Sequence, residues 1–215
     1  MSGNRIIETS RTALALRRVA KGAGVLLLAA TLGGCALLTP PKAPPETYDI
    51  SAPRKFPSLR SGTRAQVLIK EPTALKAINS QNIVVKPTPS VITYLGGAQW
   101  SDSVPKMVQV KLVETFENTG RAGAVAKPGD GLVIDYQVIS AIRAFEVVVS
   151  GSTKQAVVDI SVKLLNDKNG RVLRSKIFRA TMPFSGSSND DYITALDRAF
   201  DDVARDMVSW VFNRI

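Results

Sequence analysis

"QAVVDISVKLLNDKNGRVLRSKIFRATMPF", residues 155–184, decides the fold. Its first half alternates apolar and polar residues, which is the period of a β-strand with one buried face. The apolar positions are Ala156, Val158, Ile160, Val162 and Leu164. The run "NDKNG" at 166–170 has the residue types of a tight turn. We therefore predict a hairpin whose strands cover 155–165 and 171–184.

The segment before this hairpin, "GLVIDYQVISAIRAFEVVV" at 131–149, predicts a further strand with one irregularity. Its apolar residues alternate at first and then continue with the opposite parity. The first set is Leu132, Ile134, Tyr136 and Val138, and the second set is Phe145, Val147 and Val149. A strand can change the parity of its buried side chains only at a bulge or where it passes into a different packing environment. We expect a bulge or bend between residues 139 and 144.

The remaining elements are two helices and several short strands. Apolar residues recur at helical spacing in 99–120 and again in 187–212, and both segments begin with residues that cap helices. Shorter strands are predicted at 65–72, 82–87 and 90–95, with one helical turn at 72–78. This order predicts a single α+β domain: a mostly antiparallel sheet with two amphipathic helices packed on one face.

The N-terminal residues 1–34 read as an export signal. Arginines and a lysine precede the apolar run "VLLLAATL", which is shorter than the ~20 residues of a membrane-spanning helix. The run ends in Leu32-Gly33-Gly34-Cys35, which resembles the lipobox of bacterial lipoproteins. That resemblance implies cleavage between Gly34 and Cys35 and attachment of acyl chains such as palmitate to Cys35. The alternative for this cysteine is a small buried core residue.

Residues 35–62 contain six prolines and predict an extended tether between the lipid anchor and a domain at 63–215. Dual or triple acylation holds a protein stably on a membrane. The residue after the cysteine is Ala36 rather than the aspartate that marks inner-membrane retention in enteric bacteria. This favours the periplasmic face of the outer membrane over the inner membrane.

The composition excludes several kinds of chemistry. The chain has no histidine and one cysteine, which removes Ser-His-Asp and Cys-His catalysis and nearly all zinc sites. We expect no enzyme, no cofactor and no metal. An acidic cluster near the C-terminus reads as a solvated helix face; its members are Asp190, Asp191, Asp197, Asp201 and Asp202. The net charge of +10 comes without any nucleic-acid-binding motif, so we expect no nucleic-acid partner.

Trp100, directly before the first helix, is the one aromatic residue with two competing interpretations. It can pack the entry of the helix as a hydrophobic staple. Alternatively, it is an exposed anchor that contacts a lipid or protein partner.

With these residues in place, the chain from about Tyr48 onward resembles the ABC-type transport auxiliary lipoproteins, a family that includes the paraquat-inducible lipoproteins. The resemblance rests on the lipobox and on several stretches after it. These are "EPTALKAINSQNIVVKP", "ITYLGGAQWSDSVPKMVQVKLVETFENTG", "YQV…IRAFEV", "KLLND…GRV" and the closing helix. No residue of the family is catalytic, so none is carried over as such.

The resemblance implies a partner role. Members look like periplasmic lipoproteins that work with MCE-domain proteins and ABC transporter subunits to move phospholipid or other hydrophobic molecules. The domain would then dock the MCE assembly at the outer membrane, and a ring-shaped homo-oligomer is compatible with that role. Two alternatives stay open: an outer-membrane or cell-wall assembly accessory lipoprotein, and a domain that itself carries a lipid.

Overall fold

The computed structural model describes residues 43–56 and 62–215. These residues form nine strands and two helices. The strands are β1 (Glu46–Tyr48), β2 (Gln66–Ile69), β3 (Thr73–Ala74), β4 (Asn82–Thr88), β5 (Val91–Trp100), β6 (Ala124–Ala126), β7 (Tyr136–Ser150), β8 (Thr153–Asn166) and β9 (Arg171–Phe184). The helices are α1 (Val104–Asn118) and α2 (Asn189–Phe212). Residues Pro44–Ile215 cluster as one compact unit.

The three longest strands, β7, β8 and β9, form an antiparallel meander at the centre of the fold. Every β8 side chain predicted to share one face is at most 1 % exposed; the set is Ala156, Val158, Ile160, Val162 and Leu164. The turn between β8 and β9 ends at Gly170, whose φ of 68° is a conformation that glycine adopts without strain. The predicted hairpin is confirmed.

The predicted irregularity in β7 is a bulge at Arg143. The register of β7 against β8 shifts between Ile142 and Ala144, so that Arg143 has no partner residue of its own. Before the bulge, Val138 and Ile142 are buried on the core face, and after it Phe145 takes over with the opposite parity. One inserted residue therefore keeps the apolar side chains of a 15-residue strand on one side of the sheet.

The other edge of β7 is shared by three short strands that follow each other along it. β2, β3 and β4 each pair in parallel with successive parts of β7. β6 extends the sheet beyond β2, while β5 pairs antiparallel with β4 and carries β1 on its far edge. The long ladders are antiparallel, so the sheet is mostly antiparallel and open, as predicted.

Both helices lie on the same face of this sheet, which confirms the predicted α+β architecture. Helix α1 buries Met107, Val108, Leu112 and Phe116, the residues that recur at helical spacing. Helix α2 begins at a capping box in which the Ser188 hydroxyl accepts from the Asp191 N–H. The core joins the two helices to each other and to the sheet through aromatic pairs such as Phe116–Phe212 and Phe178–Trp210.

The described part of the expected tether, residues 43–56, is largely built into the domain. Strand β1 pairs in parallel with the end of β5, and Ile50 is 2 % exposed in the core. Pro53 is buried, and its carbonyl accepts a hydrogen bond from the Asn118 side chain in α1. The compact unit in the structure begins at Pro44, since strand β1 and the buried side chain of Ile50 precede the prolines at 53 and 57.

Three local expectations differ from the structure. The strand predicted at 90–95 continues through Gly96 and Gly97 to Trp100. The predicted helical turn at 72–78 is instead the short strand β3 followed by a turn, because Thr73 and Ala74 pair with β7. The strand predicted from residue 131 begins only at Tyr136. Leu132 and Val133 lie in the preceding loop and are 44 % and 79 % exposed. The glycines at 129 and 131, which have positive φ, prevent a strand from forming there.

Candidate partner-binding surface

The face of the meander opposite the helices carries no helix among the described residues. The register of β7 to β9 places on it the side chains that alternate with the core residues. We call this surface the helix-free face. Its members include Val84 and Lys86 of β4, Ala144 and Glu146 of β7, Val157, Asp159, Ser161 and Lys163 of β8, and Ile177, Arg179 and Thr181 of β9.

Two carboxylates are nearly buried on the helix-free face. The side chains of Glu146 and Asp159 are 9 % and 6 % exposed. A buried carboxylate is costly unless a cation compensates it. Lys86 Nζ lies 3.1 Å from Glu146 Oε1 and supplies that compensation at one position.

Asp159 lies between two arginines. Arg143 Nε is 3.6 Å from Asp159 Oδ1, and Arg179 Nη1 is 3.5 Å from Asp159 Oδ2. These distances are those of ion pairs rather than of short hydrogen bonds, and Asp159 Oδ1 accepts no hydrogen bond in the structure. The arginine side chains themselves are 50 % and 61 % exposed. One buried acid thus holds two solvent-facing guanidinium groups on the sheet.

The β7 bulge helps to bring the first of these arginines to Asp159. In the regular part of the ladder, Ala144 stands opposite Asp159, and Arg143 is the inserted residue. Arg179 reaches Asp159 without a bulge because it is the direct cross-strand partner of Asp159 on β9. Three different strands therefore contribute to one charged group.

Exposed apolar side chains lie on the same face: Ile177 beside the charged group, and Tyr94 and Ile92 farther away on β5, which β4 separates from β7. Ile177 precedes Arg179 by two residues on β9, which places it on the same face, and it is 53 % exposed. Tyr94 and Ile92 of β5 are 49 % and 44 % exposed, and Tyr94 is paired with Val84 of the helix-free face. Arginine and aromatic residues beside aliphatic ones are the composition of protein interfaces.

A shallow depression of about 290 Å³ lies beside the charged group. It is lined by Lys70 and Lys163, by hydroxyl-bearing Thr73 and Ser161, and by Ile139 and Ala141, among others. It arises where β2 ends and β3 has not yet begun, so that β7 lacks a neighbour strand over a short stretch. This opening makes the helix-free face uneven rather than flat.

Of the site residues predicted from the sequence, Trp100 lies within the described part of the chain, and Gly34 and Cys35 do not. Trp100 is 0 % exposed and packs edge-on against Phe145 at 5.6 Å, so the exposed-anchor interpretation is wrong. The physical reason is that β5 ends on the core face, under helix α2, where a large apolar ring fills the space. Cys35 and Gly34, the predicted lipidation and cleavage residues, lie outside the described residues.

The acidic residues of α2 are distributed over separate contacts. Asp191 completes the capping box, and hydrogen bonds from Ser188 hold the pKa of its carboxyl below the usual value. Asp197 accepts from Ser51, and Asp201 pairs with Arg205 at 2.5 Å. Within residues 43–56 and 62–215, no three metal-ligating side chains lie close enough together to hold an ion.

The sequence alone does not predict the helix-free face. The one sequence feature that points to this face is the set of polar residues that alternate with the buried ones in β8, which includes Asp159, Ser161 and Lys163. The partners of Asp159 come from positions 16 residues before and 20 residues after it in the chain. Only the registers of two ladders, one with a bulge, bring them together.

A family model for the ABC-type transport auxiliary lipoprotein component matches residues 48–208. The chain belongs to this family. None of the helices in the described ranges is long and apolar enough to cross a membrane.

Solved structures show the same fold. The crystal structure of protein XCC0632 from Xanthomonas campestris, a DUF330 protein, is 27 % identical with a TM-score of 0.74 and covers 78 % of this auxiliary lipoprotein and 95 % of its own chain. The crystal structure of an uncharacterized protein is 9 % identical with a TM-score of 0.63 and covers 78 % and 99 %. At that identity, the second likeness concerns the fold alone.

A curated relative is longer. The uncharacterized protein bll6063 of Bradyrhizobium diazoefficiens is 29 % identical over 184 residues, which are 83 % of this chain and 48 % of that protein. The auxiliary lipoprotein therefore spans about half the length of this relative.

Proposed function

We propose that this auxiliary lipoprotein is anchored through acyl chains on Cys35 to the periplasmic face of the outer membrane. There it docks an MCE-type assembly that works with an ABC transporter to move phospholipid or other hydrophobic molecules across the envelope. The observation that carries the proposal is the family match over residues 48–208. The lipobox-like Leu32-Gly33-Gly34-Cys35 supports the anchor.

The short distance between anchor and domain also supports it. Eight residues, 36–43, separate Cys35 from the start of the compact unit at Pro44. Even fully extended, that length reaches about 30 Å. An acylated Cys35 would therefore keep the domain next to the membrane that holds the lipid, where a transport component has to deliver or collect its cargo.

The described N-terminal segment is fixed to both helices, which suits an anchored domain. Asp49 forms an ion pair with Lys111 of α1 at 2.8 Å, and Ser51 donates to Asp197 of α2. A segment held in this way transmits the position of the anchor to the whole domain rather than ending in a free linker.

Copurification tests this function. The full chain with a C-terminal affinity tag is crosslinked in native envelopes, and bound proteins are identified by mass spectrometry. Recovery of MCE-domain and ABC subunits is the expected result. Recovery of peptidoglycan synthases or outer-membrane barrels in their place would support the assembly-accessory alternative and overturn the transport role.

The anchor is tested separately by labelling with palmitate. The Cys35→Ala chain should accumulate as an uncleaved, unlabelled precursor, while Cys35 in the unaltered chain takes up label. Normal labelling of the variant would show that the acyl chain is attached elsewhere. Native mass spectrometry of the purified chain tests the third possibility, since a lipid-carrying domain would retain bound lipid.

A further inference from the structure

We propose that the two arginines held by Asp159 on the helix-free face dock an acidic patch of a protein component of the transport system. This inference rests on the proposed function, and it names the surface and the chemistry of the partner that this function requires. The observation behind it is that Arg143 and Arg179 converge on one buried carboxylate while half or more of each side chain faces solvent.

The charges of this face favour an anionic partner. Strands β4, β7, β8 and β9 contribute four cations to it and two acids; these are Lys86, Arg143, Lys163 and Arg179, with Glu146 and Asp159. Lys86 neutralises Glu146, so the excess of positive charge lies around Asp159 and Lys163. Complementary charge accelerates association and selects the correct partner.

The geometry of the arginines leaves their donors available. A guanidinium carries five N–H donors and binds a carboxylate best through two parallel hydrogen bonds. Each arginine approaches Asp159 through one nitrogen at 3.5 Å or more. Because Asp159 positions both groups without saturating them, a carboxylate from outside can pair with either arginine without displacing an internal hydrogen bond.

The surroundings favour a protein over a lipid surface. Ile177 presents about half of its surface beside Arg179, and Tyr94 and Ile92 do so on the same face but two strands away from β7. Arginine with tyrosine and isoleucine is the combination found at the centre of protein interfaces. Attachment to an anionic bilayer instead relies on several basic residues clustered near its surface. Here, three of the four cations are already paired with acids that are less than one-tenth exposed.

Testing the site requires a variant that does not leave a buried charge behind. Replacing the arginines alone would strand Asp159, so the test variant is Arg143→Gln, Asp159→Asn and Arg179→Gln together. This triple variant is neutral, close to the original volume, and retains groups that can form hydrogen bonds. The matched control is Arg198→Gln, an exposed arginine on the solvent side of helix α2.

The measurement is site-specific photocrosslinking of the full chain in native envelopes. A benzophenone amino acid replaces Ile177, next to Arg179, and in a second chain it replaces Arg198. We expect the Ile177 probe to crosslink to a transport subunit within a segment rich in Asp or Glu. The triple variant should reduce that crosslink and the recovery of the subunit at least tenfold, while Arg198→Gln leaves both unchanged. Thermal unfolding of each variant verifies that it is folded.

The outcomes separate this inference from the proposed function. If transport subunits copurify equally well with the triple variant, the docking site is elsewhere and the proposed function stands. If the Ile177 probe labels phospholipid, a second copy of this chain, or nothing, the inference is overturned. If it labels an acidic protein outside any transport system and the triple variant abolishes that label, the site stands and the proposed function fails.

Discussion

Asp197 of helix α2 accepts hydrogen bonds from the backbone N–H and the hydroxyl of Ser51, a residue 146 positions earlier in the chain. The Ser51 backbone N–H lies 2.6 Å from Asp197 Oδ1, and the Ser51 hydroxyl lies 2.8 Å and 2.9 Å from the two carboxylate oxygens. A hydroxyl has one proton, so at any moment it donates to one of these oxygens. This contact joins the segment that follows the expected anchor to the longest helix.

Replacing Asp197 by Ala should therefore loosen the N-terminal segment. We expect a loss of about 1 kcal/mol in the free energy of unfolding, since hydrogen bonds to a charged but partly exposed acceptor contribute about that much. Hydrogen exchange should rise in residues 46–56 and not in β8. The control is Asp202→Ala, an exposed acid on the same helix. Equal exchange in both variants would mean that Ile50 and the β1 ladder hold the segment without Asp197.

Deleting Arg143 should disturb the β3–β4 edge of β7 and not its core face. Without the inserted residue, Ala144 follows Ile142 directly, the pairs to β8 form one regular ladder, and Phe145 stays on the core face. On the other edge of β7, β3 and β4 pair on either side of the bulge, so the deletion shifts one of them by a residue. Arg143→Gln keeps the bulge and should lose less than about 1.5 kcal/mol, and we expect the deletion to fold but to lose more. Urea unfolding monitored by tryptophan fluorescence compares the two variants, and equal stabilities would show that the bulge is not needed for the pairing of β3 and β4.

Gly186 should tolerate no side chain. A Cβ on this residue would lie 2.3 Å from Asp191 Oδ2, and its φ of 102° is unfavourable for any L-residue. We expect Gly186→Ala to destabilise the domain by about 1–3 kcal/mol, because the capping box of α2 must open. Gly96→Ala is the matched control, since nothing lies within 4 Å of a Cβ there. Similar melting temperatures for both variants would refute this steric explanation.

The same capping box predicts part of the acid sensitivity. Hydrogen bonds from Ser188 lower the pKa of Asp191 in the folded chain below its unfolded value of 3.8. A carboxyl with a lowered pKa contributes stability above the unfolded pKa and loses that contribution as the pH falls through the folded pKa. The unaltered chain should thus lose stability below about pH 4 more steeply than Asp191→Asn. Melting curves from pH 7 to pH 2 measure this difference, and parallel curves would contradict it.

Periodic patterns made most of the fold predictable. The alternation in β8 and the change of parity in β7 are local, and each has one geometric solution, a half-buried strand and a bulge. Helix α2 combines a wide apolar face with a capping serine at residue 188. These features depend only on residues close together in the chain, which a sequence displays directly.

Features that depend on distant partners were not predictable. Tyr48 and Ile50 follow a run of prolines and have no period, so nothing local distinguished a strand at the sheet edge from a tether. Trp100 had two interpretations, and the choice between them depended on where the end of β5 meets α2. The site around Asp159 required the registers of two ladders at once, which residue types alone do not give.

The parallel pairing of β1 with β5 has a mechanical consequence. Glu46, Thr47 and Tyr48 run beside Ala98, Gln99 and Trp100 in the same direction. If the chain is acylated at Cys35, any tension between membrane and domain enters through the first residue of β1. The part of this force that acts along β1 is shared by the hydrogen bonds between β1 and β5 at the same time. A force at right angles to the strand would break these bonds one after another. The position of β1 at the edge of the sheet, beside β5, would therefore suit it to bear such a load.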